Sequence, residues 1–348
     1  MGFKPRLEEN TMTKIDVVSG FLGAGKTTLI KKLLKEALDG SKTVLIENEF
    51  GEIGIDGGFL KESGIEIKEM NSGCICCSLV GDFGTALKEV VEKYHPDRIV
   101  IEPSGVGKLS DVIHAVENLH LEADGEVKLN SAVTVVDVLK CKMYLKNFGE
   151  FFKNQVEAAG TIILSRTDTK KATPEKIEAA IELIRELNPD ATIITTPVED
   201  LGGQKILDTI EGMKIDLSHV EEDHDHDDHE HHHDHGEGCT CGCHDHEGHH
   251  HHHHHADEVF TSWGRETIRK YSQNELKEML DALSESGDYG IILRAKGMLP
   301  AEDGTWIYFD MVPEETEIRE GAPEYTGRLC VIGSKLKEDK LAELFKLA

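Results

Sequence analysis

The feature that most constrains this chain is a glycine-rich segment near its start, GFLGAGKT at residues 20–27. It fits the pattern G-x-x-x-x-G-K-[S/T], and it stands between an apolar run typical of a strand and a pattern typical of a helix. In that context glycines let backbone N–H groups surround phosphates, and the helix start adds the positive end of its dipole. The segment therefore predicts a phosphate-binding loop.

Within this loop we expect the nucleotide to contact one continuous stretch of residues: Gly23, Ala24, Gly25, Lys26, Thr27 and Thr28. Lys26 is placed to reach the outer phosphates, and the Thr27 hydroxyl suits Mg²⁺. Glu102 ends the apolar run 98–102, where a strand-end carboxylate faces Mg²⁺ or its water. We predict Lys26, Thr27 and Glu102 as catalytic residues. The alternative for Glu102 is a structural role, in which its carboxylate caps the strand and accepts hydrogen bonds from loop amides.

Apolar runs alternate with amphipathic stretches from residue 14 to about 194, which predicts an α/β fold: a parallel sheet with helices on its faces. The strand candidates are 15–19, 43–47, 98–102, 132–137, 161–165 and 192–195. The helix candidates are 27–38, 80–94 and 174–187, the last with Thr173 as N-cap and Pro174 at the first position. The later part of the sequence predicts a small α+β domain. Its helix candidates are 273–283 and 336–347, and its strand candidates are 290–295, 305–309 and 329–332.

Composition changes abruptly between these two parts. Of the 37 residues 219–255, 17 are His, 11 are Asp or Glu and 3 are Cys, namely Cys239, Cys241 and Cys243. A segment with so few apolar residues is typical of a disordered, metal-binding linker, and a merely solvated tract is the alternative. We predict a P-loop domain at 12–215, this linker at 216–257 and a C-terminal domain at 258–348.

Residues 165–168, Ser-Arg-Thr-Asp, follow a predicted strand where guanine-binding P-loop proteins carry Asn-Lys-x-Asp. The Asp168 carboxylate can accept both N–H groups that guanine presents, and adenine presents no such pair. Arg166 is expected to lie flat over the base, but Ser165 does not reproduce the contacts of asparagine. GTP is therefore favoured over ATP. A turn-capping role is the alternative for Asp168.

Three cysteines within four residues, Cys74, Cys76 and Cys77, predict a metal site. Thiolates bind Zn²⁺ or Cu(I), and a predicted helix start nearby favours the deprotonated form. Three protein ligands leave one tetrahedral position open, which suits an ion that is passed on. Glu47, at the end of a predicted strand, is the candidate fourth ligand. Buried structural cysteines or a redox pair are the alternatives.

Charge and hydropathy exclude other classes of function. With 66 acidic against 38 basic residues, the net charge is −28, and aromatic residues make up only 5%, which disfavours nucleic-acid binding. No apolar run is long enough to span a bilayer, and the N-terminus lacks the apolar core of a signal peptide. We therefore expect a cytoplasmic protein that binds neither nucleic acid nor membrane.

The segments at residues 20–28 (GFLGAGKTT), 47–56 (ENEFGEIGID), 71–77 (NSGCICC) and 102–105 (EPSG), with a Gly-Met-Leu segment in the second domain, resemble the CobW-type GTPases. These are relatives of the nickel-insertion GTPases for urease and hydrogenase. The resemblance runs from about residue 14 to 345. It implies a P-loop GTPase with its own C-terminal domain, an association with zinc, cobalt or related metals, and a His-rich linker.

The resemblance also assigns residues. It implies that 23–28 bind nucleotide and Mg²⁺, that Cys74, Cys76 and Cys77 bind metal, and that Asp168 reads guanine. This chain departs from the family at residues 165 and 166, where Asn-Lys is usual.

Together these features predict a slow, Mg²⁺-dependent GTPase that carries a transition metal, with Zn²⁺ favoured over Co²⁺ or Ni²⁺, to a client metalloprotein. No catalytic glutamine is evident, so we expect turnover to quicken with an acceptor protein or on nucleotide-dependent homodimerisation. One alternative is a metal buffer in which the His-rich linker stores ions and the GTPase is regulatory or vestigial. The other alternative is an ATP-dependent small-molecule kinase, which is disfavoured because the sequence shows no acceptor site.

Overall fold

The computed structural model describes residues 12–48, 66–70, 80–119, 127–215, 217, 259–324 and 326–347. The three cysteines predicted to bind metal, Cys74, Cys76 and Cys77, lie outside the described residues. So does the His-rich region 219–255, whose predicted disorder and metal binding stay predictions.

The first part of the chain forms a seven-stranded sheet in the order β3-β2-β4-β1-β5-β6-β7, parallel throughout. Its strands are β1 (Thr13–Gly20), β2 (Thr43–Asn48), β3 (Glu66–Met70), β4 (Arg98–Glu102), β5 (Val127–Asp137), β6 (Thr161–Ser165) and β7 (Thr192–Ile194). The predicted α/β fold class is confirmed, and each strand predicted in this part is present. β3 was not predicted.

Helices cover both faces of this sheet. They are α1 (Lys26–Glu36), α2 (Val80–Tyr94), α3 (Leu109–Glu117), α4 (Cys141–Asn147), α5 (Gly149–Glu157), α6 (Pro174–Leu187) and α7 (Gly203–Ile210). Successive β4 residues point to opposite cores: Ile99 and Ile101 join one, and Val100 joins the other, beneath α1 and α7. A strand buried on both faces reads as an unbroken apolar run, which is why these strands were predictable.

The C-terminal part forms a five-stranded antiparallel sheet in the order β11-β10-β9-β12-β8. Its elements are β8 (Thr261–Thr267), α8 (Gln273–Glu285), β9 (Ile291–Pro300), β10 (Trp306–Val312), β11 (Glu315–Gly321), β12 (Gly327–Ser334) and α9 (Glu338–Leu344). One face packs on α8, where Leu276 and Leu280 meet Phe309 and Met311 in a core. No helix in the described part of the chain has the length and apolarity that crossing a membrane requires.

The two sheets share a core. Phe260, Leu293 and Ile332 of the C-terminal part join the main core of the first part. The Phe260 ring lies 5.1 Å from that of Phe148, centroid to centroid. The C-terminal part is therefore packed directly onto the first part of the chain, where Phe260 meets the start of α5.

A buried charge network ties β1, β4 and β5 together at the sheet edge away from the phosphate loop. The Arg98 guanidinium contacts the carboxylates of Asp16 and Glu211. Asp16 also accepts hydrogen bonds from Asn130 Nδ2 at 2.7 Å and from Ser131 Oγ at 2.6 Å. Because Asp16 is only 3% exposed, these partners take the place of the water that a surface carboxylate would contact.

Replacing Arg98 by Met is expected to lower the free energy of unfolding by about 3 kcal/mol, because it leaves buried Asp16 without its counter-charge. Lys14→Met is the control: Lys14 Nζ lies 3.1 Å from Glu211, but its side chain is 42% exposed. Loss of such a surface pair is expected to cost less than about 1 kcal/mol. Urea unfolding followed by circular dichroism measures both, and equal losses would contradict the assignment.

A second network holds the chain's C-terminus on α8. The Ser272 hydroxyl accepts from the Glu275 N–H at 3.2 Å and caps the helix. The Glu275 carboxylate accepts from Arg269 Nη2 at 2.7 Å and from Lys346 Nζ at 2.6 Å. The hydrogen bond from Arg269 and then that from Lys346 lower the pKa of Glu275 to about 2.

Glu275→Gln is expected to destabilise the protein at neutral pH and to cost progressively less in acid. A carboxyl whose folded pKa is depressed stabilises the fold above its unfolded value, and that stabilisation is lost as pH falls through the folded value. The penalty should therefore be full above pH 4.5 and shrink towards pH 2. Urea midpoints of both proteins from pH 7 to pH 3 test this, and a penalty independent of pH would refute it.

Candidate functional site

The phosphate loop has the backbone that its glycines predict. Gly23 and Gly25 adopt left-handed φ angles of 69° and 104°, and Gly25 is the N-cap of α1. Ala24 turns its side chain into the core beneath α1, so only its backbone faces outward. Lys26 folds back over the loop, and its Nζ donates to the carbonyl oxygens of Gly20 at 3.0 Å and Phe21 at 3.4 Å.

Two close approaches fix this loop. A Cβ added at Gly20 would lie 2.4 Å from the carbonyl oxygen of Val135 on β5. A Cβ added at Gly105 would lie 2.9 Å from the side chain of Leu22. The loop therefore rests on β5 and on the segment that follows Glu102, which sets the distance between Glu102 and the start of α1.

Thr27 and Glu102 meet at the mouth of the loop. The Thr27 hydroxyl lies 3.3 and 3.4 Å from the two Glu102 carboxylate oxygens. Lys26 Nζ is 4.0 Å from Glu102. The structure thus brings together the three residues predicted to be catalytic. Oxygen donors of this kind are the ligands that Mg²⁺ prefers, so the pair fits that ion.

Glu47 lies at the same edge of the sheet. It is 6% exposed and pairs in register with Glu102 on β4 and with Glu69 on β3. β3 ends at Met70, four residues before Cys74 in the sequence. Within the described ranges, no group of three His, Cys, Asp or Glu is arranged to hold a metal. The predicted ligation by Glu47 and the three cysteines therefore stays a prediction.

Arg166, which the sequence predicts to lie over the base, contacts two other parts of the molecule. Its guanidinium donates from Nη1 to the Gly23 carbonyl oxygen at 2.9 Å and from Nε to Glu315 at 2.9 Å, and its position over a base stays a prediction. Nη1 also lies 3.2 Å from Asp137 Oδ2. Its own φ is 59°, so the loop turns sharply there. The sequence pattern gave no sign of a partner 149 residues away.

The rest of the base-recognition segment flanks Arg166. Ser165 approaches the phosphate loop, with its Cβ 3.9 Å from the position of a Cβ on Gly25. Asp168 is exposed two residues beyond Arg166. Its reading of guanine stays a prediction.

A buried pair of charges lies behind Arg166. Burial raises the pKa of Asp137, an effect that Arg166 opposes. Burial also lowers the pKa of Lys140, whose Nζ lies 4.0 Å from Asp137 Oδ2. The Tyr144 hydroxyl donates to the Leu22 carbonyl oxygen at 3.3 Å, and burial raises the pKa of that phenol. The phosphate loop is thus supported from beneath by groups that β5 and α4 position.

The loop opens into a cavity of about 510 Å³, the phosphate cavity, whose other wall is the C-terminal sheet. Residues from the first part of the chain that line it include Lys26, Thr27, Thr28, Lys31 and Glu102. The C-terminal sheet adds a second wall, the charged wall, which consists of one apolar residue, Val312, and five charged ones: Arg294, Asp310, Glu315, Glu317 and Arg319. Sequence reasoning missed all six. The one signal in the sequence is the spacing of Glu315, Glu317 and Arg319 at every second residue, which places their side chains on one face of a strand.

Residues 14–195 match the family described as CobW/HypB/UreG, nucleotide-binding domain. The chain belongs to this family. Residues 260–348 match the cobalamin synthesis protein cobW C-terminal domain. The predicted resemblance to the CobW-type GTPases is confirmed, and both sheets fall within CobW-type regions.

Two zinc chaperones are similar in sequence to this CobW-family chain. The zinc chaperone CobW of Sinorhizobium sp. is 37% identical over 180 residues, 44% of this chain and 50% of that protein. The zinc chaperone YeiR of Escherichia coli K12 is 33% identical over 168 residues, 48% of this chain and 50% of that protein. This chain therefore spans about half the length of these two relatives.

A third relative and one solved structure align over more of the chain. The zinc-regulated GTPase metalloprotein activator 1 of Schizosaccharomyces pombe is 26% identical over 319 residues, 87% of this chain and 76% of that protein. The alignment with the crystal structure of the Zn(II)-bound YjiA GTPase from E. coli covers 97% of this chain and 99% of the YjiA chain, at 22% identity and a TM-score of 0.41.

Gly23 is where the C-terminal sheet touches the phosphate loop. A Cβ at Gly23 would lie 2.4 Å from Val312 Cγ1. Gly23→Ala is expected to lower the free energy of unfolding by about 2 kcal/mol or more, because left-handed strain adds to a collision. In a Val312→Ala background the same change should cost at least about 1 kcal/mol less, because the collision is relieved.

Gly40→Ala is the matched control for this cycle. Gly40 also has a left-handed φ, 80°, but nothing lies within 4 Å of its added Cβ. Gly40→Ala should therefore cost only the backbone strain, and its cost should be the same with and without Val312→Ala. Urea unfolding of the single and double variants measures the coupling. An equal cost of Gly23→Ala in both backgrounds would show that Val312 does not press on the loop.

Proposed function

We propose that this chain is a GTP-hydrolysing metallochaperone that carries a transition metal, zinc foremost, and delivers it to a client metalloprotein. The observation that carries the proposal is the meeting of Thr27 and Glu102 beside Lys26 at the mouth of a phosphate loop. Membership of the CobW/HypB/UreG family supports it, as do the zinc chaperones among its relatives. The cytoplasmic location is part of this proposal.

In the GTPase reaction, backbone N–H groups of residues 23–28 hold the phosphates. Lys26 leaves the Gly20 carbonyl to reach the outer phosphates, a short move because its Nζ already lies over the loop. Thr27 and Glu102 would hold Mg²⁺, which neutralises phosphate charge when bound. Asp168 would read guanine, and Arg166 would keep Gly23 in place. Hydrolysis is expected to be slow, because no catalytic glutamine is evident in the sequence.

The transported metal would bind Cys74, Cys76 and Cys77, with Glu47 as a further ligand. Thiolates favour Zn²⁺, and they also accept Co²⁺ or Ni²⁺. Support for a link between metal and nucleotide comes from β2, which ends at this sheet edge with Glu47 beside Glu102. A change at the phosphates is then transmitted to a metal ligand over one strand spacing. A nucleotide-dependent homodimer is part of the same proposal.

The decisive experiment measures Zn²⁺ affinity by chelator competition with GDP, a non-hydrolysable GTP analogue and the matching ATP analogue. It uses the full chain and a variant that lacks residues 219–255. One tight site should survive the deletion and respond to the GTP analogue alone. Cys76→Ser with Cys77→Ser should weaken it by more than about a hundredfold, because two ligands are lost rather than an outer partner.

Three other outcomes have distinct meanings. If tight binding disappears with residues 219–255, the chain is a metal buffer and the GTPase is regulatory. If the ATP analogue acts as the GTP analogue does, the guanine assignment of Asp168 is wrong. If affinity is the same with GDP and the GTP analogue, nucleotide does not control the metal.

A further inference from the structure

Arg166 joins three separate parts of the molecule through one guanidinium. Nη1 holds the phosphate loop at the Gly23 carbonyl and faces Asp137 of β5. Nε and Nη2 both donate to one carboxylate oxygen of Glu315, at 2.9 and 2.5 Å. Glu315 belongs to the C-terminal sheet. The cation therefore connects the loop that holds phosphates to the domain that walls the phosphate cavity.

The hairpin that carries Glu315, residues 312–315 between β10 and β11, is fixed at its tip by its own domain. Glu314 has a left-handed φ of 72°. Its N–H donates to the Ser284 hydroxyl of α8 at 2.9 Å. Outside the cavity, Lys171 Nζ lies 3.3 Å from the Glu314 carboxylate. The hairpin is thus a rigid extension of the C-terminal sheet that rests on Gly23 through Val312 and on Arg166 through Glu315.

The identity of residue 166 explains why one side chain can make these contacts. A lysine ammonium is a single point at the end of a stem, whereas a guanidinium presents five N–H donors in a planar fork. Here one edge of the fork faces Glu315, and another donor faces Gly23. Arginine at residue 166 therefore supplies donors that a lysine would lack.

We propose that Arg166 and Glu315 form a clasp through which the C-terminal domain controls nucleotide exchange at the phosphate loop. The inference rests on the proposed function, namely that this loop binds GTP and GDP. Glu315 is a positioning residue: it acts through Arg166 on Gly23 and does not itself touch the phosphates. With the clasp closed, the charged wall stays against the loop and the nucleotide leaves slowly. When the clasp opens, the hairpin lifts from Gly23 and exchange is fast.

The test is the dissociation rate of a fluorescent N-methylanthraniloyl GDP from the full chain, chased with excess GDP in a stopped-flow instrument. Glu315→Gln removes the charge and keeps the shape, and Arg166→Lys keeps the charge and removes the fork. Each should speed dissociation by about fivefold or more, as expected for the loss of a partly exposed ion pair worth about 1 kcal/mol. The double variant should be no faster than the faster single variant, because both break the same clasp.

Glu320→Gln is the matched control. Glu320 lies on the same strand as Glu315, is exposed, and pairs with Ile307 on the sheet face opposite the cavity. It should leave the rate unchanged. Since the Glu315 side chain is 55% exposed, Glu315→Gln is expected to keep the melting temperature of the wild type within a few degrees, as is Glu320→Gln. A faster rate without loss of stability distinguishes the clasp from general destabilisation.

Hydrogen exchange of the nucleotide-free protein provides a second readout. Backbone amides of residues 312–316 should exchange faster in Glu315→Gln than in Glu320→Gln. Dissociation rates within twofold of wild type for both clasp variants, or additive effects in the double variant, would overturn the clasp while nucleotide binding stands. If the wild-type chain binds no labelled GDP at all, the proposed function itself fails, and the clasp loses its role with it.

Discussion

The phosphate loop depends on a shape constraint: three other segments approach it too closely for a side chain to fit. A Cβ at Gly20 would meet β5 at 2.4 Å, one at Gly23 would meet Val312 at 2.4 Å, and Gly105 packs against the loop itself. Glycine is required at each contact because any larger residue would push the neighbouring backbone or side chain away. Held from three sides, the loop keeps its amides directed into one cavity, as a pre-formed phosphate site requires.

The C-terminal sheet completes the site instead of forming an independent module. Its apolar face is covered by α8, and its charged face turns towards the phosphate loop. Within this wall, Arg294 donates to Asp310 at 3.0 Å and Arg319 to Glu317 at 2.9 Å. Because these charges are paired with each other, the wall carries little net charge despite its many ionic groups. Such a surface can lie next to phosphates without strongly repelling them, and small rearrangements of its pairs change the local potential.

The strands and helices that were predicted share one physical property: each buries a continuous or periodic apolar surface. β4 and α6 match their predicted bounds for that reason, since their apolar positions face a core. β3, β8 and β11 were missed because they carry few apolar residues. β11 reads ETEIREG, and it becomes a strand by pairing along its length with β10. Edge strands of this kind are specified by a neighbour's hydrogen bonds more than by their own composition.

The sequence alone determined the phosphate loop, the carboxylate at the end of β4 and the family, because each rests on residues close together in the chain or on backbone conformations that glycine dictates. It also located the cysteine cluster and the His-rich region, whose structures lie outside the described residues. Only the tertiary structure decided what faces the loop. Arg166 meets Glu315 across 149 residues, and Val312 meets Gly23, because two sheets share a core around Phe260. Contacts between two separate sheets produce no periodic pattern in the sequence, because they depend on how the sheets pack and not on the spacing of residues along the chain.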